Sequence, residues 1–212
     1  MPKKKPTLKE QKHMERVVSK EKKMKINREW SMPSKNTFNI LPIKKLIEKY
    51  LPISCSQGRW IDPFANDSVF KDRLITNDIN ANFKTDYNLD ALDFLKKFDG
   101  NSVDGVLFDP PYSAHQIVKS YDGFGKIREF SRYAVEIKRI IKPDGFCISF
   151  GWNTNGMPYE MKMNGKKIKT GFKKEKEEIL IVAHGGCHND TLVVVDKKTN
   201  QINENQLSIF NA

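Results

Sequence analysis

Acidic side chains stand at the ends of several short apolar runs that the sequence predicts to be β-strands. Four successive runs lead into Asp62, Asp78, Asp90 and Asp109. Because the carboxyl ends of parallel strands meet at one edge of a sheet, where ligands bind, we expect these carboxylates to surround one site. A carboxylate accepts hydrogen bonds from a diol or an amine. Aspartate after a strand also forms turns and caps helices, which is the structural explanation for any one of them taken alone.

The fourth of these strand ends has a chemistry of its own. It reads Asp109-Pro110-Pro111-Tyr112. The two prolines stiffen the backbone and remove two N–H donors, so that carbonyls and a carboxylate remain as acceptors beside an aromatic ring. The segment therefore predicts a receptor for a planar amine.

The composition sets limits on what the chain can bind. It has 212 residues, with 37 Lys plus Arg against 26 Asp plus Glu, a formal net charge of +11 and a pI near 9.4. This balance favours a polyanion such as nucleic acid. Its apolar runs are shorter than the roughly 20 residues of a membrane span, so we expect no membrane partner. Three separated cysteines without a metal-ligand spacing predict neither disulfides nor a metal site, and indicate the cytoplasm.

Short apolar runs alternate with helical patterns, which is typical of a mostly parallel α/β sheet. Asp90 is the predicted N-cap of one helix, and an apolar face at helical spacing predicts another that ends before Pro143-Asp144-Gly145. The last two strands predict an antiparallel edge added to the parallel sheet. Predicted helices span 42–51, 91–98 and 130–141, and predicted strands span 59–62, 74–77, 83–86 (weak), 103–108, 146–150, 178–183 and 191–196.

Two lysine-rich stretches flank this pattern. Residues 1–25 hold ten Lys or Arg against three Glu, and are either a solvated tail or an arm that follows phosphates. Residues 162–176 hold seven lysines interrupted by glycine, which predicts a mobile loop lying on a nucleic-acid backbone. We therefore expect a basic arm over 1–28, one domain over 29–196 and a polar tail over 197–212. The predicted nucleic-acid contacts of the loop are Lys162, Lys166, Lys167 and Lys169.

At these motifs the sequence resembles the S-adenosylmethionine-dependent amino-methyltransferases of nucleic acids, in particular small, phage-type DNA adenine-N6 enzymes. Asp109-Pro110-Pro111-Tyr112 resembles the catalytic motif of that family, Asp62-Pro63-Phe64 its first cofactor motif, and Lys35-Asn36-Thr37-Phe38 the motif that closes over the methionine end of the cofactor. The resemblance covers about residues 30–195. It implies a Rossmann-like doubly wound methyltransferase sheet with S-adenosylmethionine as the cofactor.

The same resemblance implies roles for further residues. Asp78 matches the acid that binds the ribose, Asp90 and Ala91 lie near the cofactor adenine, and Trp152-Asn153 borders the pocket of the target base. The first motif departs from the family because Phe64 is followed by Ala65-Asn66-Asp67-Ser68 without glycine. Asparagine tolerates a positive φ better than most residues, so Asn66 is the predicted substitute for glycine in this turn.

The implied activity is methyl transfer to the N6 amine of adenine in DNA, with low or short-sequence specificity because the chain has no room for an inserted recognition domain. RNA is the alternative polymer, modified as by the ribosomal guanine-N2 enzymes. A second alternative is a nucleic-acid-binding protein that has kept the fold without the chemistry, as the missing glycines suggest. Transfer to cytosine N4 is a further alternative, although the resemblance would then predict Ser at the position of Asp109. The resemblance also implies the cytoplasm of a bacterial or phage-infected cell.

The end of the chain resembles the short peptides by which bacterial replication proteins bind the sliding clamp. A polar stretch precedes a polar residue and three apolar side chains, the arrangement that a tethered peptide presents to an apolar pocket. Packing of the same side chains back onto the domain is the alternative. The residues concerned are Gln206, Leu207, Ser208, Ile209 and Phe210.

Overall fold

The computed structural model describes residues 24–54, 58–111, 130–151, 153–163, 165–186 and 189–199. Tyr112, Trp152 and the predicted clamp peptide therefore lie outside the described residues. Within these ranges, no helix has both the length and the apolar character that crossing a bilayer requires.

A seven-stranded sheet forms the centre of the molecule. Its strand order is β3-β2-β4-β5-β9-β8-β1, and β9 alone among these seven runs antiparallel to its neighbours. This mixed, mostly parallel sheet confirms the predicted α/β fold class. The strands are β1 (Lys25–Trp30), β2 (Trp60–Asp62), β3 (Ile75–Thr76), β4 (Val103–Phe108), β5 (Ile141–Gly151), β8 (Glu178–Ala183) and β9 (Thr191–Lys197).

In the described part of the chain, three α-helices cover the two faces of the sheet. Helix α1 (Leu41–Tyr50) begins with a proline in its first turn, where a missing N–H costs nothing, and is followed by Pro52. Helix α2 (Ala91–Lys96) begins as predicted, because the Asp90 carboxylate accepts a 3.0 Å hydrogen bond from the Leu92 N–H. Helix α3 (Phe130–Ile140) ends one residue before the predicted position, since β5 follows it directly.

The core has two layers, one on each face of the sheet. Helix α1 packs its apolar residues, including Ile43 and Ile47, against one face. Helices α2 and α3 pack theirs, including Phe94 and Ile137, against the other. The carboxyl ends of the strands are therefore held between two packed layers. The loops that follow these strand ends are positioned by this rigid framework.

The prediction of a mobile loop over residues 162–176 is wrong. This region begins with a two-stranded hairpin, β6 (Glu160–Met163) and β7 (Lys166–Lys169). Buried residues that follow it fix it to the domain, since Phe172 is fully buried and the Thr170 hydroxyl donates to the Tyr159 carbonyl at 3.1 Å. Met161 lies opposite Ile168 on one face of this hairpin, but these apolar residues are too few among the lysines to predict strands from the sequence.

Two further regions differ from the prediction. Strand β1 extends the sheet into residues assigned to the basic arm, and all six of its residues are exposed, so no hydrophobic alternation marked it as a strand. The weak strand predicted at 83–86 is reduced to a single parallel bridge between Asn77 and Tyr87. Side-chain hydrogen bonds replace a ladder there, since the Asp86 carboxylate accepts from both the backbone N–H and the hydroxyl of Thr76 at 2.8 Å.

Candidate active site

The turn after β2 buries an acidic side chain. One carboxylate oxygen of Asp62 accepts a 3.1 Å hydrogen bond from the Phe64 N–H, and the other is fully buried with no partner among the described residues. Burial raises the pKa of Asp62 well above its usual range; the negative charges of Asp109 and Asp78 raise it further, against the lowering effect of the Phe64 N–H. An unsatisfied carboxylate oxygen in such a place is costly, and a hydrogen-bond donor or cation would relieve that cost.

Asn66 gives this turn its shape. Its φ of 48° lies in the left-handed region, as predicted for the residue that replaces glycine. The Asn66 N–H donates to the Asp78 carboxylate at 3.0 Å, and the Asn66 side chain accepts from the Asp67 N–H at 2.7 Å. The turn therefore reaches a glycine-like conformation through local hydrogen bonds, which offset part of the strain of a left-handed residue.

Asp78 lies beneath the turn. Its side chain is fully buried, and its two oxygens accept from the backbone N–H groups of Asn66 at 3.0 Å and Asn80 at 2.8 Å. Desolvation by burial raises the pKa of Asp78, against the lowering effect of these two donors. In this structure the carboxylate holds two loops together, and its ribose contact stays a prediction.

The segment before α1 forms one wall of the site. A short 3₁₀ helix, Thr37–Asn39, leads into α1 and buries Phe38 against the rings of Phe70 and Phe150, at centroid distances of 6.2 and 5.0 Å. This packing points the neighbouring Thr37 towards the end of β4, where its hydroxyl donates a hydrogen bond to the Asp109 carboxylate. The predicted cofactor-closing motif and the predicted catalytic motif therefore meet directly.

Asp109 follows the last residue of β4 and is enclosed on most sides. Burial raises the pKa of its carboxyl to about 6, and the hydrogen bond from Thr37 opposes this shift. Pro110 is buried and Pro111 is partly exposed. At neutral pH the group is therefore mostly an ionised acceptor in a poorly solvated position, where a hydrogen bond to an amine is stronger than in water.

These elements enclose a cavity of about 220 Å³, here called the first cavity. It is smaller than the roughly 300–1,000 Å³ of most small-molecule pockets, so it would enclose one end of an extended ligand. Asp62, Asp78 and Asp90 are not part of its lining. The lining residues are Lys35, Asn36, Thr37, Phe38, Asn39, Phe64, Ala65, Asn66, Asp67, Ser68, Val69, Asp109, Pro110, Pro111, Phe150, Gly151 and Thr191.

A second cavity, of about 750 Å³, lies beside the first. The two share Phe150 and Gly151 at the end of β5, and both reach the end of β4. The rest of the second cavity is mostly contributed by the start of α3, the segment after β5 and the hairpin region. The residues that line it are Phe108, Phe130, Ser131, Ser149, Phe150, Gly151, Asn153, Thr154, Asn155, Gly156, Met157, Pro158, Tyr159, Met161, Lys174, Lys176 and Val194.

A buried ion pair supports one wall of the second cavity. Lys176 donates to the Asp196 carboxylate at 2.6 Å and to the Met157 carbonyl at 2.9 Å, and the other oxygen of Asp196 accepts from the Met157 N–H at 2.7 Å. Desolvation raises the pKa of Asp196, and the charge of Lys176 opposes that shift. This ion pair holds the backbone of Met157 in place. The sequence analysis assigned Lys176 to the basic loop and did not predict its pairing with Asp196.

His184 connects β1 to the first cavity. Its Nδ1 lies 2.9 Å from the Ser31 carbonyl oxygen, and its Nε2 lies 2.8 Å from the hydroxyl oxygen of Thr191, a lining residue. Because a carbonyl only accepts, Nδ1 donates to Ser31; in the neutral ring Nε2 then accepts from Thr191. This link fixes the chain that leads to Lys35, and nothing in the local sequence predicts it.

The structure brings two of the predicted motifs and part of a third together. The lining of the first cavity holds the Lys35-to-Phe38 segment, Phe64, Ala65 and the Asp109-to-Pro111 segment. Asn153 lines the second cavity instead. Asp90 caps α2, with Ala91 buried beside it, and both lie outside the two linings. Exposed side chains on the hairpin are Lys162, Lys167 and Lys169; nothing is described for the Lys166 side chain.

Three solved structures resemble this chain weakly. A Listeria monocytogenes protein classed as an S-adenosylmethionine-dependent methyltransferase is 12% identical, with a TM-score of 0.43 over 74% of this chain and 96% of that one. A SAM-dependent methyltransferase of Methanosarcina mazei is 11% identical, with a TM-score of 0.43 over 73% of this chain and 97% of that one. A protein of Sulfolobus solfataricus classed as a type 11 methyltransferase is 17% identical, with a TM-score of 0.40 over 76% of this chain and 93% of that one. The fold class rests on the strand order of this chain and not on these scores.

Comparison with protein-family models and with curated proteins finds no match.

Proposed function

We propose that the protein transfers the methyl group of S-adenosylmethionine to the exocyclic N6 amine of adenine in DNA. The observation that carries the proposal is the position of Asp109, which lines the first cavity directly after the strand whose last residue, Phe108, lines the second. A methyl donor in the first cavity and a base in the second would meet at this strand end. Asp109 and the Pro110 carbonyl are the acceptors for an amine there.

The first cavity and its surroundings offer polar groups that would bind the amino-acid end of such a cofactor. Asp62 lies outside the lining, two residues before Phe64, and its buried oxygen without a partner among the described residues would accept a hydrogen bond from an ammonium group. Lys35, Asn36 and Thr37 offer polar groups on the opposite wall. When bound, the cofactor would supply an electrophilic methyl group on a sulfonium. The adenosine end would extend over the Asn66 turn towards Asp78 and Asp90.

In this reaction the chain's residues position an amine and accept hydrogen bonds from its two N–H groups. An exocyclic amine is a weak nucleophile because its lone pair is delocalised into the ring. Hydrogen bonds from its two N–H groups to the Asp109 carboxylate and the Pro110 carbonyl would favour a pyramidal nitrogen with the lone pair directed at the methyl group. The stiff Asp109-Pro110-Pro111 backbone keeps both acceptors in place, and Tyr112 would stack on the base.

The second cavity supports a base as the other reactant. Its walls combine rings, Phe108, Phe130 and Tyr159, with amide and hydroxyl groups such as those of Asn153 and Thr154. Rings stack on a base and polar groups bind its edge, which is how enzymes hold a base that has left the duplex. The hairpin lysines Lys162, Lys166, Lys167 and Lys169, and the basic residues 1–25, would contact phosphates.

The decisive experiment incubates the protein with labelled S-adenosylmethionine and unmethylated DNA or RNA, followed by digestion and mass spectrometry of the nucleosides. We expect N6-methyladenine from DNA, lost in Asp109→Ala. The matched control is Asp93→Ala, which removes an exposed carboxylate of α2. Methylguanine from RNA would instead support the RNA enzyme, and N4-methylcytosine the cytosine enzyme. If the folded protein binds DNA but produces no methylated base, the remaining alternative is a nucleic-acid-binding protein that has kept the fold without the chemistry.

The DNA contacts have a separate test in the salt dependence of binding. Each of Lys162→Ala, Lys167→Ala and Lys169→Ala should lower the slope of log K against log[salt] by about 0.9 on duplex DNA if that lysine neutralises one phosphate. Lys45→Ala is the control, because this exposed lysine lies on α1, on the opposite face of the sheet. Equal slopes for the hairpin and control variants would argue against the contact.

A sliding-clamp partner is proposed for the C-terminal peptide Gln206-Leu207-Ser208-Ile209-Phe210. Its apolar side chains after a polar stretch are suited to an apolar pocket on a partner. Deletion of residues 206–212 should abolish binding to a bacterial clamp in calorimetry without changing methyl transfer to short DNA. The proposal would be wrong if clamp binding survives the deletion, or if the intact chain does not bind the clamp.

A further inference from the structure

Strand β1 is the last strand at its side of the sheet. Its inner side pairs in parallel with β8 from Lys25 to Trp30, and its outer side has no strand partner among the residues that the structure describes. An open edge presents free N–H and C=O groups and is a template for another strand. Edge strands are commonly protected by charges, so the order of the charges along β1 decides whether it can pair.

The register with β8 shows which backbone groups face outwards. The Ser31 N–H donates to the Ala183 carbonyl at 3.0 Å, so the backbone of Ser31 faces β8. Backbone direction alternates along a strand, so Asn27 and Glu29 face inwards in the same way. The outward N–H and C=O groups therefore belong to Ile26, Arg28 and Trp30.

The side chains of β1 also alternate. Asn27 donates to Glu178 at 3.0 Å on the face covered by α1, and Lys25 and Glu29 share that face by periodicity. The other face carries large apolar side chains in the open, with Ile26 58% and Trp30 65% exposed, flanked by the exposed Met24. Arg28 separates Ile26 from Trp30 on this face, and large apolar side chains exposed along an open sheet edge are a sign of an interface.

We infer that the outer edge of β1 pairs antiparallel with β1 of a second copy of this chain, around a twofold axis at Asn27. In this register, hydrogen-bonded pairs form between Ile26 and Arg28 of the other copy, and between Met24 and Trp30, which are the residues with outward backbone groups. Lys25 then lies directly opposite Glu29 of the other copy, twice per dimer.

The charge pattern selects this register over its neighbours. A twofold axis at Arg28 would put the two Arg28 side chains directly opposite each other, and like charges in that position are destabilising. An axis at Ile26 would instead place Met24 opposite Arg28, and Trp30 would lie beyond the described part of the other strand. Only with the axis at Asn27 do opposite charges face each other while Met24 and Trp30 pack on one face, a sulfur-to-ring contact that is favourable in itself. The interface is isologous, as a closed dimer requires.

The test is sedimentation equilibrium of the full chain and three variants. Wild type should form a dimer. Glu29→Lys replaces two opposite-charge pairs by two like-charge pairs and should weaken association about tenfold or more. The double variant Lys25→Glu/Glu29→Lys reverses the order of the charges and should restore the dimer. Ile26→Pro removes an outward N–H and should give a monomer whose melting temperature stays close to wild type.

A covalent test fixes the register. Asn27→Cys places two sulfurs across the twofold axis at a non-hydrogen-bonded pair, where the Cα separation permits a disulfide. Oxidation should give a cross-linked dimer in this variant and not in Arg28→Cys, whose side chain leaves the other face of the strand. A monomeric wild type, including one whose residues 1–23 cover the edge, would overturn the inference. So would a dimer unaffected by Glu29→Lys and Ile26→Pro.

Discussion

Removal of one hydrogen bond should move the pH dependence of methyl transfer. The Thr37 hydroxyl favours the ionised form of Asp109, whose pKa burial raises to about 6. A hydrogen bond to a charged group contributes about 1.5–3 kcal/mol. One pKa unit corresponds to about 1.4 kcal/mol, so Thr37→Val should raise the pKa of Asp109 by about one to two units, to between about 7 and 8. At pH 7 the ionised fraction then falls from about nine tenths to about half or less.

The assay is the pH profile of kcat/KM, scaled to its own plateau so that any general loss of activity cancels. Transfer needs the carboxylate, so the rate should fall tenfold per pH unit below the pKa of Asp109. We expect the acid limb of wild type near pH 6, with that of Thr37→Val displaced upwards and that of Thr37→Ser close to wild type. A profile of Thr37→Val that superimposes on wild type would refute the link between Thr37 and Asp109.

Three further predictions concern stability. In urea denaturation, Asn66→Gly should leave the free energy of unfolding unchanged, whereas Asn66→Val should lower it by about 1–2 kcal/mol. The reason is that the φ of 48° at this position disfavours a β-branched side chain. An equal loss of stability in the two variants would contradict this. Lys176→Met should lower the free energy of unfolding by about 3–5 kcal/mol, because it leaves the buried Asp196 charge unpaired. Adding Asp196→Asn should restore most of that stability, and strictly additive effects of the two substitutions would argue against the ion pair. Asp109→Asn should raise the melting temperature at about pH 8 by several degrees, because ionised Asp109 costs the fold up to about 3 kcal/mol above its pKa. That gain should disappear near pH 4, where the carboxyl is protonated; a constant gain would contradict the raised pKa.

The sequence predicted those parts of the molecule whose signals are local. Apolar runs located the central strands, and a cap signal located α2 at Asp90, which accepts the Leu92 N–H. The glycine-free turn was predicted to place Asn66 at positive φ, which is confirmed. Each of these features depends on residues within one turn or strand, so the pattern alone contains the information.

The features that the sequence did not predict depend on distant contacts. All six residues of β1 are exposed, and the segment is a strand only because β8 pairs with it. The hairpin is fixed by Phe172, whose burial depends on the rest of the domain. The ion pair of Lys176 with Asp196 and the bridge from His184 to Thr191 each join separate segments. No period or motif in the sequence reports such partners.

The pairing of β1 with β8 also decides when the protein becomes complete during synthesis. Asn27 and its partner Glu178 are separated by 151 positions, so β1 cannot join the sheet until the ribosome has released most of the chain. Contacts of such long range form late and slow folding. The segment that carries Lys35 and Thr37 follows β1 directly, and it is tied through Ser31 to His184. The wall of the first cavity should therefore be the last part of the site to form, so nascent chains shorter than about 190 residues, which also lack β9 (Thr191–Lys197), should fold β2 to β5 at most and remain inactive.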